Sequence, residues 1–162
     1  MSAFDLEAWA APRRKGVEGW LGRQFADAWP GPFGSALHYP LNTPGKRIRP
    51  LLALAAWEAV TGRSEHEGSP ILAIAGAIEL VHTYSLVHDD LPAMDDADTR
   101  RGRPTVHKVY GDATAVLVGD ALLTEAFAVI ASADMSPGDR TALVSLVARA
   151  SGYRGMVGGQ PG

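Results

Sequence analysis

PILAIAGAIELVHTYSLVHDDLPAMDD, residues 70–96, decides how the rest of the chain is read. From Pro70 to about Asp90 it is apolar on nearly every side, which marks a buried central helix rather than a surface one. Pro92 lacks the N–H that would bond back to His88, so this helix ends or kinks at its aspartates.

The flanking sequence repeats apolar residues at helical spacing, and few runs look like strands. Upstream, Val17, Trp20, Leu21, Phe25 and Ala28 trace one face of a first helix, with Pro12 interrupting it on its N-terminal side. WPGPFG (29–34) reads as a loop, followed by a short turn from Leu37 to Leu41. A second helix is expected from Ile48 to Val60, with Pro50 in its first turn and Thr61-Gly62 closing it. SEHEGS (64–69) is a polar connection. Downstream, helices are expected from Asp112 to about Ala133 and from Asp139 to about Tyr153, and the glycine-rich RGMVGGQPG reads as a connection. No repeat or internal boundary is visible, so residues 1–162 are expected to form one all-α domain with functional residues at helix ends facing one cavity.

Composition excludes several classes. With 15 basic against 18 acidic residues there is no global field to attract nucleic acid. The chain has no cysteine, which removes disulfides, cysteine-ligated zinc and thiol catalysis. The N-terminus carries Asp5 and Glu7 where a secretory signal would be basic, so a cytoplasmic chain is expected. Pro50 to Trp57, read as the longest apolar stretch, is too short to span a bilayer, so no integral membrane protein is expected.

Asp89, Asp90, Asp95, Asp96 and Asp98 crowd into ten residues where the apolar helix breaks. Carboxylates there repel one another and oppose the helix macrodipole. Two readings remain, a solvated acidic loop or a site whose charge is neutralised by cations. Hard oxygen ligands suit Mg²⁺, which takes one or two protein carboxylates and completes its shell with water and phosphate oxygens. Asp89 and Asp95 lie six residues apart, about 120° out of phase on an ideal helix. The break at Pro92 would let both turn towards one metal cluster. The cations come in two sets, Arg100 and Arg101 after the aspartates, and Lys46, Arg47 and Arg49 in GKRIRP. Lys46 and Arg49 can share a helix face at a helix N-terminus, where backbone N–H groups also favour phosphate. Read alone, GKRIRP fits a solvated basic corner as well. It is not a phosphate-binding GxxxxGK[ST] loop. His82 lies two turns before Asp89 on the same helix face, and singly it reads as a core histidine.

In combination, KRIRP (46–50), ELVHTYSLVHDDLPAMDDADTRRGRPTVHKVYG (79–111), LVGDALL (117–123) and GMVGGQ (155–160) resemble the short-chain trans-polyprenyl diphosphate synthases, most of all the bacterial farnesyl or geranylgeranyl type. DDLPAMD looks like their first aspartate-rich motif, in its DDxxxxD form. The resemblance implies an isoprenoid-synthase-type helical bundle that joins an allylic diphosphate to isopentenyl diphosphate and releases pyrophosphate. It implies that Asp89 and Asp95 bind Mg²⁺ bridging to the allylic diphosphate, with Asp90 assisting and Arg100 contacting that diphosphate. Lys46, Arg49, His82 and Arg101 would hold isopentenyl diphosphate, and the leaving pyrophosphate would take the final proton. Tyr84 and Ser85, roughly 6–7.5 Å along the axis from Asp89, would set the depth of the cavity, with Tyr84 as a floor favouring a C15 product. A homodimer is implied for the full-length form.

The family's second aspartate-rich motif, DDxxD, has no counterpart after Asp98, where Asp112, Asp120, Asp134 and Asp139 stand singly. The sequence therefore resembles the N-terminal half of such an enzyme, and little turnover is expected of it alone. A non-catalytic fragment or regulatory subunit of a heteromeric prenyl synthase is the alternative. A class I terpene cyclase fits less well, because GKRIRP and Arg101 imply a second diphosphate.

Overall fold

In a computed structural model the described residues are 4–25, 31–64 and 69–160. They form an all-α bundle around α4 (Pro70–Asp89), the helix expected from the sequence. It packs against α1 (Leu6–Arg23), α2 (Pro32–Leu41), α3 (Ile48–Thr61) and α6 (Asp112–Ser132). Four neighbours explain why α4 carries no polar face: Leu72, Ala75, Ala77, Leu80 and Val87 are all buried. Gly76 and Gly119 let neighbours approach closely. A Cβ at Gly76 would collide with the Trp20 ring of α1, and one at Gly119 would collide with the His88 ring.

Several elements differ from the sequence expectation. Pro12 lies inside α1 rather than interrupting it, because Asp5 caps the helix by accepting from the Ala8 N–H at 3.0 Å. The carbonyl that Pro12 leaves unbonded belongs to exposed Ala8, where water can satisfy it. Phe25 falls beyond the end of α1, and Ala28 lies outside the described residues, as does most of the 64–69 connection. Residues 32–41 are a helix, not a loop and a turn. Pro32 occupies its first position, where a missing N–H costs nothing, and Ala36, Leu37 and Leu41 anchor it in the core. Thr99–Arg100 and Arg103–Pro104 pair as an antiparallel hairpin, β1 and β2, around Arg101-Gly102. Both turn residues have positive φ, 53° and 77°, the signature of a type I′ turn. α5 (Val106–Tyr110) links this hairpin to α6.

The remaining helices fall where they were expected. Gly62 closes α3 in the left-handed conformation, and Ser136 caps α7 (Pro137–Ser151) by accepting from the Asp139 N–H. By length and composition α4 and α6 are each apolar enough to cross a bilayer, so Pro50 to Trp57 is not the longest apolar stretch. Packing within the bundle accounts for most of the hydropathy of α4, whereas α6 packs on α4 with one face and leaves Val116 and Leu117 exposed on another.

Candidate active site

The acidic end of α4 is organised by backbone hydrogen bonds. After Pro92 the chain turns back, and the Asp95 N–H donates to the Asp89 carbonyl at 2.8 Å while the Ala97 N–H donates to that of Asp90 at 3.2 Å. The turn after Pro92 thus brings the Asp95 backbone next to that of Asp89, which a continuous helix would have kept about 120° apart. Burial, then the charge of Asp95, pushes the Asp89 carboxyl above the usual aspartate range, with Arg100 opposing. Asp89 Oδ1 also accepts from Gln160 Nε2 at 2.8 Å, which brings the end of GMVGGQ to the same place.

The other aspartates serve differently. Asp90 is 4% exposed, and both its oxygens accept from Arg100 Nε, at 2.8 and 2.9 Å, with Arg100 Nη2 at 2.7 Å. Asp90 therefore anchors Arg100. Asp98 pairs with Lys108 at 2.7 Å, which holds its carboxyl below the usual range. Asp95 and Asp96 are exposed, and the half-buried Asp89 adjoins Asp95. Among the described residues no three carboxylate or imidazole groups converge to cage a cation unaided. Two hard carboxylates fit Mg²⁺, which draws the rest of its shell from water and phosphate oxygens.

Lys46, Arg49, His82 and Arg101 converge from three segments on one cleft of about 370 Å³, together with Pro44, Gly45, Arg47, Ile48 and Glu79. The hairpin delivers Arg101, whose Nη1 donates to the Pro44 carbonyl at 3.3 Å. A Cβ at Gly45 would meet that guanidinium, so a side chain there would displace Arg101 from this position. Arg49 Nη1 lies 3.3 Å from His82 Nε2. Arginine has only donors, so this nitrogen accepts and the imidazole proton sits on Nδ1. Burial and then Arg49 hold His82 below the ordinary histidine value. Lys46 is exposed and has no ion-pair partner among the described residues.

Arg49 and His82 also border a second groove of about 310 Å³, lined by Ile78, Val81, Leu146, Val147 and Met156 among others. A cationic cleft and an apolar groove thus meet at one pair of side chains. Tyr84 and Ser85 are not in this lining. Tyr84 of α4 is buried with its ring edge-on to His88 at 5.8 Å, and burial followed by the Asp89 charge raises its phenol. Ser85 donates to the His82 carbonyl at 2.9 Å.

Sequence reasoning counted Arg47 only as one of the GKRIRP cations and passed over Glu79. Both are buried, 2.8 Å apart, beneath the cationic cleft. The available signal was an acidic residue in the middle of an apolar helix, which requires a buried partner.

Residues 32–160 match the family described as polyprenyl synthetase. The farnesyl diphosphate synthase of Bacillus subtilis is 46% identical over 159 residues, 96% of this chain and 52% of that protein. A chloroplastic geranylgeranyl pyrophosphate synthase of Capsicum annuum is 47% identical over 127 residues, 77% of this chain and 33% of that protein. The apo crystal structure of an FPP/GFPP synthase from Zymomonas mobilis superposes with a TM-score of 0.82 at 40% identity, covering 96% of this chain and 58% of that one. The chain spans about half the length of the bacterial curated relatives it matches. With its helices, aspartate pair and cationic cleft in this arrangement, the chain belongs to the polyprenyl synthetase family.

Proposed function

We propose that the chain forms the two diphosphate subsites of a cytoplasmic short-chain prenyltransferase, which joins an allylic diphosphate to isopentenyl diphosphate. One observation carries this reading: the cationic cleft and the apolar groove share Arg49 and His82. A ligand with a diphosphate head and a short hydrocarbon tail matches that junction, and isopentenyl diphosphate is such a molecule. Lys46, Arg49, His82 and Arg101 would take its head.

The allylic diphosphate would lie at the acidic end of α4. There Asp89 and Asp95 would hold Mg²⁺, and Arg100, kept in place by Asp90, would contact the phosphate oxygens. Bound Mg²⁺ supplies positive charge that steadies the pyrophosphate leaving group. Arg100 adds fixed charge at the same point without reorganising. The allylic C–O bond breaks, the isopentenyl double bond attacks the allylic carbon, and the pyrophosphate accepts the proton lost. The apolar side chains keep water from the cation meanwhile. Tyr84 is proposed as the floor that favours a C15 product, and α6 as the dimer face of the full-length form.

Titration calorimetry of isopentenyl diphosphate into the 162-residue chain tests the reading. Lys46→Ala or Arg49→Ala is expected to weaken binding by roughly tenfold or more, the scale of a lost charged hydrogen bond. Absence of binding by the parent chain, or equal binding by the variants, overturns it.

A further inference from the structure

Arg47 stands between two cleft residues yet contributes little to the field there. It is 5% exposed, and its Nη1 donates to Glu79 Oε1 at 2.8 Å, an acid itself 2% exposed. Its Nη2 donates to the carbonyls of Leu41 and Thr43, each at 3.0 Å. Its Nε has no hydrogen-bond partner, the Glu18 carboxylate lying 3.9 Å away. One guanidinium therefore ties the end of α2, the following loop and α4 together.

Two costs accompany this arrangement. Arg47 adopts φ 50° and ψ 38°, a left-handed conformation that costs a non-glycine residue about 1–2 kcal/mol. A buried ion pair is seldom better for stability than an apolar pair of the same volume. Neither cost has an evident return in stability. Both have one in geometry. The left-handed residue immediately precedes α3, so it sets where Lys46 leaves the turn and the phase at which Arg49 reaches His82. Glu79 sits three residues before His82 on α4, so the ion pair ties the α3 entry to the turn that carries the imidazole.

We propose that Arg47, clamped by Glu79, is the positioning residue of the cationic cleft: its three-way tie holds Lys46, Arg49 and His82 in register for a diphosphate, while its own charge is cancelled. The inference rests on the diphosphate reading above. Lysine cannot replace it, because an ammonium has no planar fork to span a carboxylate and two carbonyls.

Two variants test it, each measured for thermal unfolding and for calorimetric affinity towards isopentenyl diphosphate. Arg47→Lys keeps a charge opposite Glu79. Arg47→Met/Glu79→Met removes both charges, so no buried ion is left uncompensated. The expected result is cooperative unfolding in both, with affinity lowered roughly tenfold or more, as when the supporting partners of a bound ligand's contacts are removed. A purely structural pair would instead give parental affinity wherever stability is retained, and that result overturns the proposal. If neither variant folds, the pair is a folding requirement and the positioning role is likewise refuted. If the parent chain itself binds no isopentenyl diphosphate, the diphosphate reading fails first and the inference falls with it. Parental binding beside unchanged variants sinks the inference alone.

Discussion

Burial and the neighbouring Asp95 charge hold the Asp89 carboxyl above the usual aspartate range, so its ionisation opposes folding. The sign follows from linkage: the stabilising contribution is complete below the ordinary aspartate pKa and is lost as pH rises through the raised value. Asp89→Asn should therefore raise the melting temperature of the metal-free chain at neutral pH by a few degrees at most. Mg²⁺ with pyrophosphate should stabilise the parent chain and leave the variant unmoved. Equal shifts in both would remove Asp89 from the metal site. His82 has the opposite linkage, since burial and Arg49 disfavour its cation, with Arg101 and Arg100 adding to the effect and Glu79 opposing. Its contribution is present above the ordinary histidine pKa and is lost as pH falls towards the depressed value. A diphosphate in the cleft favours the cation, so binding slightly below neutral pH should take up a proton. Calorimetry in buffers of different ionisation heat measures that uptake, and His82→Gln should abolish it. Lys46, Arg49, His82 and the aspartates were legible because motif and spacing carry them. Arg47 was not: in GKRIRP three cations look alike, and which is buried depends on a glutamate 32 residues away.

The turn residues of the β1–β2 hairpin show what local pattern omits. Two-residue strands leave no alternation to detect, so Arg101-Gly102 looked like part of a basic run. The same holds for α2, whose prolines at 32 and 40 argue for a loop until core contacts from Ala36, Leu37 and Leu41 outweigh them. In contrast, α4 was legible to within a residue, because a twenty-residue stretch with apolar residues on nearly every side belongs at the centre of a bundle. Gly102 has φ 77°, so Gly102→Ala should lower stability by about 1–2 kcal/mol in chemical denaturation. The same change should weaken isopentenyl diphosphate binding by displacing Arg101. Unchanged affinity would mean that Arg101 is placed by Pro44 and not by the turn.

At the scale of the molecule, apolar side chains remain in solvent along α3 and α7, among them Leu52 at 64% and Leu146 at 56% exposure. Those faces belong to a chain about half as long as the bacterial relatives it matches. The 162-residue chain should bind isopentenyl diphosphate yet show little turnover with an allylic diphosphate and Mg²⁺, as half of the family's aspartate motifs would dictate. Product formation at the rate of a full-length relative would contradict this. That residues 99–162 hold no second DDxxD stretch is plain in the sequence. It could not show which faces stay open, because exposure depends on how helices far apart in the chain pack.

Arg100 and Arg101 are consecutive, one tied to the end of α4 through Asp90 and the other to the turn before α3 through Pro44. A single short hairpin therefore carries the arginine proposed for each diphosphate. Under the proposed function, a diphosphate held by Arg101 would also restrain the hairpin that carries Arg100, so the two ligands would bind with coupled affinities. By thermodynamic reciprocity that factor would be the same in both directions.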